Sequence, residues 1–583
     1  MSTENTKIND YPRPDFTRKQ WIDLNGKWDF EWDDSNRGET EQWFSDHKFQ
    51  SEILVPYCYQ SSLSGIHDKA MHPVVWYRKD LILDAEFLDK RVLLNFGAVD
   101  FETKVWINGQ FLGQHTGGNC SFSFDASLLL KSGKNSIVIR VEDQADPVQP
   151  RGKQNWREKP FGCWYTPTTG IWQSVWLAKV GKTYLESLYI TPDIDTKSAK
   201  MDLSIRHFTP GLTIKAELNF KGAPFKTMEV SSNSRYPVIT VNIDIDDELD
   251  SDFLWNPENP NLFDVKISLL NQGMLVDSVS SYFGMRKISI QKGVILLNNV
   301  PYLQKLILDQ GYWENGLLTA PSDDALKEDI LKAKAMGFNG ARKHQKMEDP
   351  RYYYWADRLG FLVWGEMPSN YHFSRKGIEL IATEWQDFIK RSYNHPSIVA
   401  WVPVNESWGV WNIIVDKQKQ QFCDMLYHLT KSLDPSRIVS SNDGWEQGKS
   451  DICAIHDYTA DGKDFLEKAS RKEKYLETYS DSRFIYAQGY KYEGQPVILT
   501  EYGGIAFDDG LEGWGYQGKV KNEAEFLDRF KSITEAILQT GYFFGFCYTQ
   551  LTDVQQEING LLRPDRSFKV APEKIKKILD GLR

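Results

Sequence analysis

The stretch "WVPVNESWG", Trp401–Gly409, starts as an apolar, β-branched run and stops abruptly at Asn405-Glu406, before a Ser-Trp-Gly turn. With the residues ahead of it, "IVAWVPVNE" (398–406) reads as a buried strand with an amide and a carboxylate at its tip. On both sides strand-like runs alternate with helical ones. Before it come "YLQKLILD" (302–309), "FNGARK" (338–343) and "FLVWGE" (361–366). After it come "RIVSSND" (437–443), "ICAIHDY" (452–458), "PVILTEYG" (496–503) and "GFCYTQL" (545–551). Helical patterns fall near 321–337, 349–359, 376–393, 411–432, 463–475 and 521–539, with "PEKIKKILDGL" as a final helix. Pro321 and the acidic residues after it suit a helix start, and Gly337 suits its end. The crossover 444–451 is too short for a helix. Eight such units across 285–583 predict a (β/α)8 TIM barrel.

The chain is multidomain, because its first half has a different rhythm. Across 1–180, short runs such as "VVWYRKDLIL" (74–83), "RVLLNFGAV" (91–99) and "NSIVIRVED" (135–143) alternate apolar and polar residues. "TKVWINGQFLGQH" (103–115) holds an Asn-Gly pair at 108–109, a hairpin signal. This spacing predicts a β-sandwich. Residues 181–284 repeat the pattern over about a hundred positions without a long helix, which predicts a smaller immunoglobulin-like sandwich.

Composition narrows the function classes. A formal charge of −11 gives nucleic acid and anionic membranes nothing to be drawn by, so neither is an expected partner. No window approaches the ~20 consecutive apolar residues of a spanning helix. The opening "MSTENTKINDYPRPDF" lacks the basic and apolar segments of a secretory signal. Cys58, Cys120, Cys163, Cys423, Cys453 and Cys547 are scattered, without a C-x-x-C pair. They read as free thiols, neither a zinc site nor a disulfide frame, and the expected compartment is the cytoplasm. The 20 tryptophans read first as aromatic-rich β cores and second as sugar-stacking platforms.

In a TIM barrel the chemistry sits at the C-terminal ends of the strands. Glu406 ends strand four, and Glu501 in "PVILTEYGG" ends strand seven, across the ring. Two facing carboxylates are the arrangement for glycosidic bond cleavage, one protonated and one ionised. The competing reading is that both are salt-bridged at the barrel rim. Asp309, Glu366, Asp443, Asp457 and Asp553 are rival tip carboxylates, with Glu366 in "WGEMPS" the strongest.

These residues also carry a resemblance. "WVPVNESWG" and "LTEYGG" resemble the acid/base and nucleophile motifs of glycoside hydrolase family two, which includes β-galactosidases and β-glucuronidases. "GFNGARKHQKMEDPRYYYWADRLGFLVWGEMP" (337–368) is similar to that family's barrel signature, and "TGIWQSVWL" (169–177) to the end of its jelly-roll sugar-binding domain. The domain order agrees over nearly the whole chain. The resemblance implies Glu406 as general acid/base, Glu501 as nucleophile and retention of configuration. It implies Asn405 on the sugar 2-hydroxyl, Arg342 beside the nucleophile, Tyr458 reaching it, and Tyr548 as a platform under the sugar. The implied activity is that of an exo-acting β-glycosidase on a carbohydrate substrate, galactosidase-like first. β-Glucuronidase, β-galacturonidase and α-L-arabinopyranosidase are the alternatives.

The departures matter too. Glucuronidase members carry an Asn-x-Lys element near the last strand; "EINGLLRPDR" (557–566) has no such lysine, which leaves Arg563 or Lys346 to bind a carboxylate. His344 follows Arg342 by two residues where the family histidine follows by three, so it reads either as a rim histidine or as a sugar ligand. His456 divides in the same way. The magnesium ligands of large bacterial β-galactosidases have no match, so neither metal nor cofactor is expected. The glycine-rich stretch 505–520, with Trp514 and Tyr516, reads as a pocket wall that selects the leaving group, or else as a packed surface loop. A carbohydrate-binding protein with a silent barrel is the rival from another class. A homo-oligomer built by the sandwiches is a further possibility.

Overall fold

A computed structural model describes residues 11–243, 252–477, 479–480, 483–508, 510 and 512–582. Within 285–582 eight strands run parallel: Gln304–Asp309, Gly340–Lys343, Leu362–Glu366, Ile398–Val402, Ile438–Val439, Cys453–His456, Val497–Gly503 and Phe543–Thr549. Numbered along the chain they pair in the order 5-4-3-2-1-8-7-6. Strand side chains alternate between two layers, as a pleated backbone requires. Leu306, Leu308, Trp364, Val402, Ile498 and Cys547 fill the barrel interior. Ile307, Val363, Trp401, Leu499 and Phe546 pack outward against the helices.

Between strands five and six no ladder forms among the described residues. Strand five has two residues, and the following 440–452 contain no helix, as the short crossover predicts. Side chains close the gap instead. Gln447 donates to the Ala454 carbonyl (2.5 Å) and accepts from its N–H (3.2 Å), while the Asp451 carboxylate accepts from Val439 N (2.9 Å).

The first barrel helix spans Asp323–Ala335, and Ser322 caps it by accepting from Ala325 N. Pro321 therefore lies just outside it. The expected helix 411–432 begins only at Lys417, capped by Asp416, and the one near 463–475 is split into Gly462–Ala469 and Lys472–Glu477.

The N-terminal sandwich packs a six-stranded antiparallel sheet on a four-stranded one, around Trp28, Phe30, Val75, Tyr77, Leu94 and Val105. Asn108 and Gly109 take positive φ (51° and 78°) in the predicted hairpin. The described residues of 184–283 form sheets of three and four strands around their own core, including Leu203, Ile214 and Ile267.

One segment ties the first sandwich to the barrel mouth. Tyr371 N donates to the Pro147 carbonyl (2.7 Å), and Arg151 N and Gly152 N both donate to Ser369 O (3.0 Å). Gly152 holds φ 57°, and a Cβ there would collide with the Gln345 carbonyl, so only glycine allows this approach. The residues after Gly152 are thereby laid over the strand tips.

Candidate active site

Arg342, at the tip of strand two, is fully buried and joins five strands. Its Nε donates to Glu366 on strand three (2.6 Å), Nη2 to the Asn405 amide oxygen after strand four (2.5 Å), and Nη1 to Glu501 on strand seven (3.0 Å). Asp443, beyond strand five, lies 3.2 Å from Nη1. Burial opposes a charged guanidinium, but the surrounding carboxylates win and raise its pKa. Burial pushes the Glu366 carboxyl up to about 7 despite Arg342. Asp443 is buried as well, yet Arg342 and His456 hold it below the usual carboxylate range.

The Asn405-Glu406 turn is strained and locked. Glu406 and Ser407 both have left-handed backbones, φ 53° and 58°, which cost about 1–3 kcal/mol each. Glu406 N donates to Asp443 O (2.9 Å), Ser407 N to Asn442 Oδ1 (3.0 Å), and Ser407 Oγ to Glu446 (2.8 Å). Trp408, the aromatic of the opening motif, donates its indole N–H to Glu406 Oε2 (3.1 Å).

His456 stands between the two catalytic candidates. Nδ1 is 2.8 Å from Glu406 Oε1, and Nε2 is 2.9 Å from Asp443 and 3.5 Å from Glu501. Burial alone would lower this imidazole; Glu501, Asp443 and Glu406 raise it to about 10. Glu406 shows the converse. Burial favours its neutral form, but the His456 hydrogen bond and charge, with Lys153 and Arg342, bring it below the ordinary value. Oxygens of Glu406 and Glu501 and a nitrogen of His456 lie within 4.8 Å of one another. Such a trio has metal-ligand spacing; with a carboxylate on each nitrogen and its pKa raised by those charges, His456 is equally set to share protons with them. Glu406 is the more open acid, with 14% of its side chain exposed against 5% for Glu501.

The other expected residues divide. Asn405 is fully buried, its Oδ1 on Arg342 and its Nδ2 without a partner among the described residues. Tyr458 donates to Glu501 Oε2 (2.6 Å) and sits 3.1 Å from Thr549 Oγ1. His344 is buried 3.1 Å from Glu366 and 3.9 Å from Glu501; burial, Lys153 and Arg342 keep it neutral. Trp514 is partly exposed, donates to Gly162 O (3.1 Å) and meets Tyr516 edge-on at 5.3 Å. Tyr516 stacks face to face on Tyr458, 3.4 Å between centroids, so this residue of the 505–520 stretch borders the site, while Asp508, Gly510, Glu512 and Gln517–Lys519 are exposed and residues 509 and 511 lie outside the described set.

Tyr548 is a correction. It belongs to the outward layer, packed against Phe530 and Tyr502, because strand alternation turns its neighbours Cys547 and Thr549 inward. Thr549 is the strand-eight residue that reaches Tyr458. The alternative carboxylate binders fail too. Lys346 is consumed by Glu348 (2.8 Å) and two carbonyls, and Arg563 bonds the Phe568 carbonyl from an exposed position. Among the rival acids, Asp309 pairs with Lys343 (2.9 Å), Asp457 with Lys468 (2.7 Å) and Asp553 with Lys569 (2.6 Å). Glu366 does join the site, as a partner of Arg342.

Sequence reasoning missed the jelly-roll contribution. Trp164 packs edge-on against Trp408 (5.0 Å) and Tyr371 (5.5 Å), and Tyr165 donates to Glu557. Lys153 lies in the same segment. Nothing in "RGKQNW" (151–156) marks it as part of a site three hundred residues away.

A barrel mouth with paired carboxylates at the tips of strands four and seven defines a glycosidase-type site. Residues 22–179, 183–286 and 289–582 match, respectively, the profiles described as glycosyl hydrolases family 2, sugar binding domain; glycosyl hydrolases family 2; and glycosyl hydrolases family 2, TIM barrel domain. The chain belongs to glycosyl hydrolase family 2. It is 32% identical over 381 residues to a putative beta-glucuronidase of Formosa agariphila, covering 62% of this chain and 44% of that one. It is 25% identical over 606 residues to a beta-galactosidase of Leuconostoc mesenteroides, covering 94% and 54%. The chain thus spans about half the length of the curated relatives it matches. In fold it is similar to a b-glucuronidase from Ruminococcus gnavus solved with D-glucuronic acid (TM-score 0.78, 18% identity, 96% and 97% covered). It is also similar to a beta-galacturonidase from Eisenbergiella tayi (TM-score 0.75, 18%, 97% of each chain).

Proposed function

We propose that this chain is a retaining exo-β-glycosidase that removes a terminal sugar by double displacement. The approach of the Glu406 and Glu501 oxygens to within 4.8 Å carries this reading. Retaining enzymes hold their carboxyls about 5–5.5 Å apart, whereas inverting ones need room for a water. Glu501, paired with Arg342 and Tyr458, is the nucleophile on the anomeric carbon. Glu406 protonates the departing oxygen and then deprotonates the incoming water. In the free protein the proton for that first step rests on His456 Nδ1, one hydrogen bond from Glu406. The Asn405 amide, whose Nδ2 has no partner among the described residues, donates to the sugar 2-hydroxyl.

The sugar is the open question between relatives. The sequence favours a galactoside, because no lysine stands in 557–566. A uronide is favoured by a cation that enters from the jelly roll. A panel of nitrophenyl β-galactosides, β-glucosides, β-glucuronides and β-galacturonides, followed by NMR of the first-formed anomer, tests the reading. Turnover with a first-formed α-anomer, or none with any member, overturns it.

A further inference from the structure

Four lysines of the described residues are buried: Lys153, Lys179, Lys343 and Lys346. Three are ion-paired. Lys179 meets Asp89 (2.8 Å), Lys343 meets Asp309 and Glu348 (2.9 and 2.7 Å), and Lys346 meets Glu348 (2.8 Å). Lys153 is 7% exposed and has no carboxylate within 4.0 Å among the described residues. A buried ammonium without a counter-ion is a costly arrangement that persists only when something else satisfies it.

The backbone shows that its placement is built. The Lys153 carbonyl accepts from Tyr165 N (2.7 Å). Gly152 before it is pressed on the Gln345 carbonyl and receives the Tyr371 hydroxyl. Gln154 after it is held by Asp100 (2.9 Å) and Thr168 (2.6 Å). The lysine thus stands among Glu557, Tyr371, Glu406 and the Cys163 thiol, which burial pushes up to about 11 and so leaves uncharged. Its charge acts on both Glu406 and Glu557. Glu557 is a weak competitor for it, since burial lifts that carboxyl above its ordinary value and Tyr165 already binds it.

We propose that Lys153 is the specificity-determining residue for an acidic terminal sugar, a β-uronide whose carboxylate completes the missing ion pair. The proposal rests on the glycosidase reading. The depth of the lysine favours the terminal sugar over the leaving group, which faces solvent beside the more open Glu406. Binding such a sugar has a second effect. It neutralises a cation whose field holds Glu406 ionised, so the acidic substrate itself favours the protonated acid.

The test compares the intact protein with its Lys153→Met and Lys153→Arg variants. The wild type should hydrolyse nitrophenyl β-glucuronide or β-galacturonide with a higher kcat/KM than the neutral counterpart. Lys153→Met should collapse the uronide-to-neutral ratio by about 100-fold, the scale of losing one partner of a buried charge pair. Lys153→Arg should restore part of it. A purely structural lysine would lower both substrate types alike and leave the ratio unchanged, which overturns the proposal, as does a wild-type preference for neutral sugars. Calorimetry with D-glucuronic acid and D-galactose separates this inference from the reading beneath it. Lys153-dependent binding of the acid without turnover of any glycoside sinks the glycosidase reading and keeps the charge recognition. Equal binding of both sugars, unaffected by Lys153→Met, sinks the charge recognition.

Discussion

Replacing His456 by Asn removes a cation from between Glu406, Asp443 and Glu501, and the structure sets the size of the effect. The imidazole is raised from its ordinary 6.5 to about 10. A shift of about 3.5 units at 1.36 kcal/mol each is roughly 5 kcal/mol, an upper bound because three carboxylates share the charge. A group raised on folding stabilises most below its unfolded value and loses that contribution as pH climbs to the folded one. The stability gap between wild type and His456→Asn should therefore be up to ~5 kcal/mol near pH 6 and shrink to roughly 2 kcal/mol near pH 8.5. Urea unfolding at the two pH values measures it. Catalysis supplies a second reading. If the acid's proton rests on His456, the alkaline limb of kcat/KM reports the pair and lies high; in the variant it should fall toward the carboxylate range. Dinitrophenyl glycosides, which need little acid assistance, should show a smaller change. A stability gap that does not narrow with pH, together with an unmoved alkaline limb, would refute a charged His456 and its role as proton store.

Glu501→Ala should abolish turnover, and azide should restore part of it with inversion, read by NMR of the glycosyl azide. Glu406→Ala should cut hydrolysis of natural glycosides far more than of activated ones; equal loss on both would count against the proton donor. Arg342→Met strands Glu366, Asp443, Glu501 and Asn405 together, so thermal melts should show a loss of about 3–5 kcal/mol. Tyr548→Phe should leave kcat/KM within about twofold, while Tyr458→Phe, which removes a hydrogen bond to Glu501, should lower kcat by about 100-fold.

Legibility followed the range of the interactions. Strand four could be read because buried strands and their polar tips are local patterns, and Glu501 was visible for the same reason. Tyr548 misled because a residue's place near a strand end does not say which face it occupies; alternation counted from Cys547 in the barrel interior turns it outward. The acids Asp309, Asp457 and Asp553 resembled Glu406 in sequence, and only their lysine partners, brought in by the fold, set them apart.

By itself the sequence determined the three-domain layout, the barrel and the two facing acids, since periodicity and strand-tip chemistry are written within a few neighbouring residues. Tertiary structure decided the rest. Five strands had to converge before Arg342 met three carboxylates, and a sandwich had to dock before Lys153 and Trp164 reached the mouth. Burial and charge fields are properties of that assembled neighbourhood, so the proton balance between His456 and Glu406 exists only once residues fifty positions apart stand 2.8 Å from one another.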